Sequence, residues 1–451
     1  MSKSEPKIVR NFGKSLPWLA EVVSSVEVAS DLNVEDVSNS IGVNNRCSIC
    51  KAGKMLCGKR SCPLLARIKS YLRIKPVYNK SNLEGASPPG LFVGHVGYPY
   101  VFAGPLVPPE QGDTSLLDVP EFWFGKSMEE IIDMRFKLVR GMHRVNVKKP
   151  KNGGSILDDT QLLGLAERSV DIDLLLKSKP NSTFSLSADA QPMGPSAMIK
   201  NLNLDGNVRI NQHLEKAYCD TDLKAADAVS NLYKKNVRLS SIQRAFSIGS
   251  FGVENQRKLV PTRWSITAVD SMLSKEYMEI IKQYPTINEF RVYESYYLDN
   301  CFQIIMIPES WNYECIEAWY PGTIWNPFNE NIQMFGDWES YRGRTTYAKI
   351  GGCYYAARLA VNDLLMKERR QAGVCILREI RPGYIMPVGV WNVRENVRNA
   401  LRQKPHKYNT FQEVLSHIGS KFNIPLNIWQ QNSKILTDTV QQKKITDYFN
   451  F

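Results

Sequence analysis

The stretch RVYESYYLDNCFQIIMI, residues 291–307, gives the strongest indication of the fold. Two runs rich in aromatic and β-branched residues, 291–298 and 301–307, flank the polar pair Asp299-Asn300. Runs of this composition form strands, and a short polar pair between two of them is typical of a hairpin turn. The stretch therefore predicts an antiparallel β-hairpin with a tight turn.

Downstream of the hairpin, the sequence predicts a helix and a second pair of strands. Residues 354–369 follow Gly351-Gly352 and have the apolar spacing of a helix. Residues 374–380 and 384–390 are apolar runs on either side of Arg-Pro-Gly, which predicts two strands around a turn. A capping box of Thr410 and Glu413 then predicts the start of a last helix before Gly419.

Upstream of the hairpin, helices also mix with strands. Residues 91–102 have strand composition, and Ser127 with Glu130 matches a capping box at the start of a helix. Residues 159–177 and 221–233 have apolar residues at helical spacing. Interleaved helices and hairpins favour an α+β or mixed α/β fold over a doubly wound parallel sheet.

The length and composition predict a globular protein of three parts. A chain of 451 residues exceeds what one core usually supports. We expect a small N-terminal metal-knuckle segment over 1–80, a large mixed α/β domain over 81–435, and a flexible C-terminal peptide over 436–451. The net charge of +12 predicts attraction to polyanions such as nucleic acid.

The apolar patterning predicts neither a secretory leader nor a membrane span. The first thirty residues lack a continuous apolar segment, and no run of about 18 apolar residues occurs. We therefore expect a cytoplasmic protein without membrane contact. Because disulfides are disfavoured in the cytoplasm, the nine cysteines are interpreted as metal ligands or buried thiols.

Four of the cysteines are spaced as C-x2-C-x6-C-x4-C, which predicts a metal site. They are Cys47, Cys50, Cys57 and Cys62. Two closely spaced pairs of thiolates close a tetrahedral cage, for which zinc is the usual ion. An iron–sulfur cluster also takes four cysteines, so the spacing leaves both open. The alternative is four unrelated buried thiols.

A strongly basic run surrounds the cysteines. Nine lysines and arginines and no acidic residue fall between positions 46 and 75. This favours contact with nucleic-acid phosphates over a merely solvated basic face. The residues expected to bind nucleic acid in this run are Lys51, Lys54, Lys59 and Arg60.

The last ten residues, QKKITDYFNF, predict a docking peptide. In one helical turn Ile445, Tyr448 and Phe449 share a face, with Gln442 as a polar anchor before them. This pattern resembles the peptide by which repair proteins bind the PCNA-type sliding clamp. The alternative is a segment that folds back onto its own domain.

Several islands of the chain resemble one family. They are CSIC at 47–50, LCGK at 56–59, CP at 62–63, PTRWSIT at 261–267, RGRTTY at 342–347, GGCYYAAR at 351–358 and PVGVW at 387–391. Together with the C-terminal peptide they resemble the archaeal Nre-type DNA repair proteins along nearly the whole chain. The resemblance implies a repair factor recruited to DNA through the sliding clamp, and it implies no established active site.

No complete catalytic motif occurs in the sequence. None of the five histidines forms an H-x-x-x-H pair, and Walker A and G-x-S-x-G patterns are missing.

Metal-dependent nuclease chemistry needs clustered carboxylates. The candidate acids are Asp158, Asp159, Asp171, Asp173, Asp270, Asp337, Glu339 and Glu379. Asp337 and Glu339 beside Arg342 and Arg344 suit a metal and a phosphate, and the alternative is a solvated ion pair.

Two further places suit phosphate contact. Arg263 next to Trp264 fits a phosphate contact with base stacking, whereas the alternative places Trp264 and Ile266 in the core of a strand. Arg342 and Arg344, with Lys349, are the preferred phosphate-facing cluster.

The sequence thus predicts a clamp-recruited DNA repair factor. A metal-dependent nuclease and an RNA-binding protein are the two alternatives.

Overall fold

A computed structural model describes residues 80–180, 193–323, 325–326 and 330–441, together with Lys54, Cys62, Leu65, Ala66 and Ser70. The chain divides into two units. The first comprises Met1–Val269 and Ile385–Val388, and the second comprises Asp270–Tyr384 and Gly389–Phe451.

The first unit contains one six-stranded sheet with helices. Its strands are β1 (Asn82–Ser87), β2 (Leu91–Val93), β3 (Tyr100–Val107), β4 (Val139–Asn146), β5 (Val170–Leu176) and β6 (Ser196–Leu204). Its helices are α1 (Met128–Phe136), α2 (Ser155–Leu165), α3 (Gln212–Cys219), α4 (Ala225–Lys234), α5 (Leu239–Ser247) and the first part of α6 (Thr262–Ile281). Short 3-10 turns occur at Ser115–Asp118, Pro120–Phe122, Pro150–Asn152 and Glu254–Gln256.

The sheet of the first unit is mixed, in the order β1-β5-β6-β4-β3-β2. Among the described strands of this first sheet, only β4 and β6 pair in parallel. Helix α2 packs against β3, β4 and β6. Ile131, Leu163 and Leu174 are fully buried, so the core lies between this sheet and its helices.

The second unit contains the rest of α6 and a second six-stranded sheet. Its strands are β7 (Phe290–Tyr297), β8 (Asn300–Ile307), β9 (Asn312–Trp319), β10 (Gln333–Glu339), β11 (Gly373–Ile380) and β12 (His406–Tyr408). Its other helices are α7 (Gly352–Glu368), α8 (Trp391–Arg402), α9 (Phe411–Lys421), α10 (Leu426–Asn432) and α11 (Lys434–Gln441).

This second sheet has the order β10-β9-β11-β8-β7-β12 and helices on both faces. Helix α8 packs on β7 and β8. On the other face, Val414, Trp429 and Leu436 of α9 to α11 join Ile305 and Leu377 in one apolar cluster. Since β8 and β11 are covered on both faces, every residue of the two strands is buried.

The predicted hairpin is confirmed. β7 and β8 pair antiparallel, with Tyr297 opposite Asn300. The turn residues are Leu298 and Asp299, one position earlier than predicted, with φ of 51° and 56°. Positive φ at both positions belongs to the tight turns that match strand twist. Asp299 stabilises the turn by accepting a hydrogen bond from the backbone of Gly383 at 2.6 Å.

Both predicted capping boxes are confirmed. Ser127 and Glu130 cap α1 reciprocally, with N–H···O distances of 2.7 and 3.2 Å. Thr410 and Glu413 do the same for α9, at 2.9 and 3.3 Å. The helix predicted at 354–369 is α7, and the one at 221–233 corresponds to α4.

Three local predictions are wrong. The helix over 159–177 ends at Leu165, and 170–176 form β5, because their burial alternates with the period of a strand. Residues 384–390 form no strand, since β11 pairs with β8 and β9 instead. Two helices, α10 and α11, follow α9.

Mixed helices and strands confirm the predicted fold class. Among the described helices, none combines the length and the apolar character that a bilayer crossing requires.

Candidate nucleic-acid interface

Most of the predicted metal, docking and N-terminal nucleic-acid-binding residues lie outside the described residues. These are Cys47, Cys50, Cys57, Lys51, Lys59, Arg60, Gln442, Ile445, Tyr448 and Phe449. Cys62 is half-buried, and its carbonyl accepts a hydrogen bond from the backbone of Ala66 at 3.0 Å. Lys54 is exposed. The four-cysteine site and the docking peptide therefore stay predictions.

The 261–267 island forms the first turn of α6 and presents Trp264 to solvent. Thr262 Oγ1 accepts a hydrogen bond from the backbone of Val93 at 2.9 Å, and buried Ser265 donates to the carbonyl of Gln243 at 2.5 Å. Because these two bonds fix the inward side of the turn, Arg263 and Trp264 lie on the outside. The side chain of Trp264 is 50% exposed. The alternative that placed Trp264 in the core of a strand is wrong.

An aromatic side chain just before β3 lies beside Trp264, and two more follow in the strand. The ring of Tyr98 is 5.6 Å from that of Trp264, centroid to centroid. Tyr100 and Phe102 follow at every second position and are both exposed, as residues on one face of a strand are. Sequence reasoning missed this set, although its signal is visible as aromatic residues at 98, 100 and 102.

Arginines accompany these rings. Arg144 of β4 is opposite Phe102 in the strand register, and its guanidinium carbon lies 5.8 Å from the centre of the Tyr100 ring. Within the described part of the chain, neither Arg144 nor Arg263 forms an ion pair. We call the six residues Tyr98, Tyr100, Phe102, Arg144, Arg263 and Trp264 the Trp264 surface.

The chemistry of the Trp264 surface suits single-stranded nucleic acid. Exposed aromatic residues also occur elsewhere in the described chain, but here Tyr98 lies against Trp264, and Tyr100 and Phe102 share one exposed face of β3. Exposed rings stack on bases, and guanidinium groups without a carboxylate partner bind phosphates.

The structure places the members of the other predicted phosphate-facing cluster, Arg342, Arg344 and Lys349, in different environments. Arg342 is exposed, whereas the side chain of Arg344 is only 10% exposed. Arg344 donates to Asp337 Oδ2 at 2.7 Å and to the carbonyl of Thr346 at 2.8 Å, and its guanidinium carbon lies 4.8 Å from the Tyr354 ring centre. Its donors are thus largely engaged within the protein. The side chain of Lys349 is exposed.

Asp337 and Glu339 are each bound to a different arginine. Burial alone would raise the pKa of Asp337, but hydrogen bonds from Arg344 and the backbone of Lys349 outweigh it and lower that pKa. Glu339 is fully buried and accepts from Arg358 at 2.6 Å. Burial raises the pKa of Glu339 although Arg358 opposes the rise. This pairing disfavours the two carboxylates as a metal-holding pair.

The other candidate acids are distributed over separate elements. Asp158 and Asp159 lie in α2, and Asp171 and Asp173 in β5. Asp270 pairs with Arg394, and Glu379 accepts from Tyr320 at 2.6 Å. Among the described residues, none of these acids belongs to a group of three ligands within reach of one ion.

Three buried arginine–carboxylate pairs and one partly buried pair of the second unit form what we call the arginine network. They are Arg344 with Asp337, Arg358 with Glu339, Arg378 with Glu317, and Arg394 with Asp270. Arg378 donates to Glu317 at 2.6 Å and to Asn300 at 2.7 Å. The network holds β8, β9, β10 and β11 together with α6, α7 and α8.

The fold and these sites define a mixed α/β protein with an exposed basic and aromatic surface in one unit and a buried ionic network in the other. The chain belongs to the archaeal Nre family, which confirms the predicted resemblance. The family model for "Archaeal Nre, N-terminal" matches residues 56–326, and that for "Archaeal Nre, C-terminal" matches 339–448.

Curated relatives match nearly the whole chain. DNA repair protein NreB of Archaeoglobus fulgidus is 38% identical over 390 residues, 86% of this chain and 96% of the relative. DNA repair protein NreA of the same organism is 37% identical over 374 residues, 83% of this chain and 93% of the relative. DNA repair protein NreA of Haloferax volcanii is 30% identical over 409 residues, 88% of this chain and 96% of the relative. No solved structure matches the chain significantly.

Proposed function

We propose that this protein is a DNA repair factor that binds a PCNA-type sliding clamp through residues 442–451 and contacts DNA through the Trp264 surface. The observation that carries the proposal is the similarity to proteins named DNA repair proteins, which extends over 83–88% of this chain. The chemistry of the Trp264 surface and the Gln442, Ile445, Tyr448 and Phe449 pattern support its two specific parts.

Helix α11, directly before the docking peptide, is fixed to the second sheet. Buried Glu314 accepts hydrogen bonds from the backbones of Lys434 and Ile435, both at 2.9 Å, and from Ser433 Oγ at 2.5 Å. A carboxylate at these positions satisfies free N–H groups of the helix start and favours its dipole. Leu436 is fully buried. The peptide thus begins from a fixed point of the protein.

When the protein is tethered to the clamp, weak DNA contacts are sufficient for binding to DNA. A protein held on a clamp that encircles DNA meets that DNA at a high effective concentration, so each contact of the Trp264 surface becomes intramolecular. The basic residues Lys51, Lys54, Lys59 and Arg60 add sequence-independent phosphate contacts. In this proposal Cys47, Cys50, Cys57 and Cys62 hold one zinc ion, for which four thiolates are a suitable donor set.

The test is a calorimetric titration of the full chain with its sliding clamp. In the variant Ile445→Ala/Phe449→Ala we expect at least about thirtyfold weaker binding, because each anchor side chain of such an interface contributes about 2 kcal/mol or more. Val440→Ala is the matched control, since Val440 is an exposed apolar residue just before the peptide. Equal affinity of both variants, or no binding by the intact chain, would contradict clamp recruitment.

A nucleic-acid titration separates this function from the RNA-binding alternative. We expect the full chain to bind single-stranded DNA at least as tightly as RNA of the same sequence. Tighter binding to RNA, together with no clamp binding, would favour the alternative.

A further inference from the structure

Three side chains with metal-binding atoms converge at one edge of the second sheet. They are Glu294 of β7, His406 of the edge strand β12 and His417 of α9. His406 Nε2 lies 3.8 Å from Glu294 Oε1, and His417 Nε2 lies 3.6 Å from Glu294 Oε2. The ligand atoms of all three lie within 4.8 Å of one another.

The secondary structure brings these three residues together. β12 pairs antiparallel with β7, with His406 opposite Val292. Because alternate residues of a strand share a face, Glu294 lies on the same side of β7 as Val292. That side is covered by α9, whose Val414 and Ile418 are fully buried in the same apolar cluster as Val292. His417 therefore lies above the β7–β12 pair.

The spacing is close to that of a tetrahedral site. Zinc bonds to imidazole nitrogen and carboxylate oxygen of about 2.1 Å place neighbouring ligand atoms about 3.4 Å apart. His406 Nε2 and His417 Nε2 lie 3.8 and 3.6 Å from the two different oxygens of Glu294, so each imidazole is near this distance from the carboxylate. The three ligand atoms lie within 4.8 Å of one another, so binding of one ion would draw the side chains closer together.

A second observation concerns the environment of His417. Its Nδ1 lies 2.8 Å from the hydroxyl of Tyr408, so the opposite nitrogen, Nε2, faces Glu294. Metal-binding histidines commonly have such a partner on the second nitrogen, which orients the ring. His417 Nε2 is buried and has no hydrogen-bond partner among the described residues.

We propose that Glu294, His406 and His417 form a divalent-metal site of the zinc type. Two imidazoles and one carboxylate are a donor set that zinc takes, and they leave a fourth position for water. The site is accessible from solvent on the side of His406, whose side chain is 48% exposed. The ion joins the three-residue strand β12 and helix α9 to the sheet.

Two neighbours of Glu294 affect this site. Lys421 Nζ lies 3.2 Å from Glu294 Oε1, and Gln303 Nε2 donates to Oε2 at 3.3 Å. Lys421 competes with a cation for the carboxylate. Its side chain is well exposed, so it can turn into solvent when the ion binds. Removing Lys421 should therefore tighten metal binding, an effect that a purely structural ion pair does not produce.

The test counts metal ions on the full chain. Chelator-treated protein is loaded with Co²⁺, dialysed and analysed for bound metal and for its absorption spectrum. We expect His406→Ala to hold one equivalent fewer than the intact protein, without loss of the thiolate-to-cobalt charge-transfer band of the four-cysteine site. His95→Ala removes an exposed histidine of the first unit and is the control, which should keep the full count.

Affinity measurements complete the test. Zn²⁺ titration should show about tenfold weaker binding in Tyr408→Phe, the usual minimum for loss of an orienting partner. Lys421→Ala should bind more tightly than the intact chain. An unchanged metal count in His406→Ala would overturn the proposal, and because His406 lies largely in solvent, this variant is expected to fold. Weaker binding in Lys421→Ala would overturn it as well.

Discussion

The Trp264 surface and the arginine network combine the same residue types in opposite surroundings. Arg144 lies over the ring of Tyr100 at the surface, and Arg378 lies 5.5 Å from the ring centres of Phe302 and Trp319 in the interior. Arg378 is buried against the carboxylate of Glu317, whereas Arg144 has no carboxylate partner among the described residues. A contact between an arginine and an aromatic ring therefore does not by itself indicate a binding site. What distinguishes the two is burial and whether a carboxylate already binds the guanidinium.

The largest expected effect comes from breaking one pair of the arginine network. Arg378→Met leaves the Glu317 carboxylate buried without its cation and removes two donors from Asn300. We expect the free energy of unfolding, measured by urea denaturation, to fall by about 3–5 kcal/mol.

The double variant Arg378→Met/Glu317→Gln is the control for this prediction. Because it removes the unpaired charge, it should recover much of the loss. A loss below about 1 kcal/mol in Arg378→Met would mean that the pair behaves like a surface salt bridge.

An intermediate effect, on DNA affinity, is expected from a substitution in the Trp264 surface. Trp264→Ala should weaken binding of single-stranded DNA by about 1–3 kcal/mol, because it removes one stacking platform, and should leave the urea midpoint unchanged. Fluorescence anisotropy with a labelled oligonucleotide measures this affinity.

Phe122→Ala is the matched control for Trp264. Phe122 is 58% exposed, and the guanidinium carbon of Arg238 lies 5.3 Å from the centre of its ring. Phe122 does not belong to the Trp264 surface. We expect its DNA affinity to equal that of the intact protein. Equal losses in the two variants would show that exposed aromatic residues contribute without regard to position.

The smallest expected effect is on the salt dependence of DNA binding, and it distinguishes Arg263, which has no ion pair among the described residues, from Arg344, which is bound to Asp337. Arg263→Gln should reduce the slope of log K against log salt by about 1, as for one lost phosphate contact. Arg344→Gln should leave the slope unchanged, since its guanidinium is bound to Asp337. A reduced slope in Arg344→Gln instead would return Arg344 to the phosphate contacts predicted from the sequence.

The correct predictions rested on local rules. The capping boxes of α1 and α9 require only two residues three positions apart, and the hairpin requires only adjacent runs and a turn. The short apolar run 170–176 fits the period of either a helix or a strand, and its pairing with β1 and β6 makes it a strand.

The sites depend on contacts that no local pattern contains. Trp264 is exposed because Thr262 and Ser265 bind β2 and α5, which are distant from them in the sequence. The Glu294, His406 and His417 group comes from three separate elements, so a search for closely spaced histidines does not find it.

The most direct test of DNA contact at the Trp264 surface is photo-cross-linking of the full chain to a bromodeoxyuridine-containing single strand, followed by mass spectrometry of the peptides. We predict adducts on the peptides that contain Tyr98, Tyr100 and Trp264. Adducts confined to the neighbourhood of Arg342 and Arg344, or none in the first unit, would contradict the assignment.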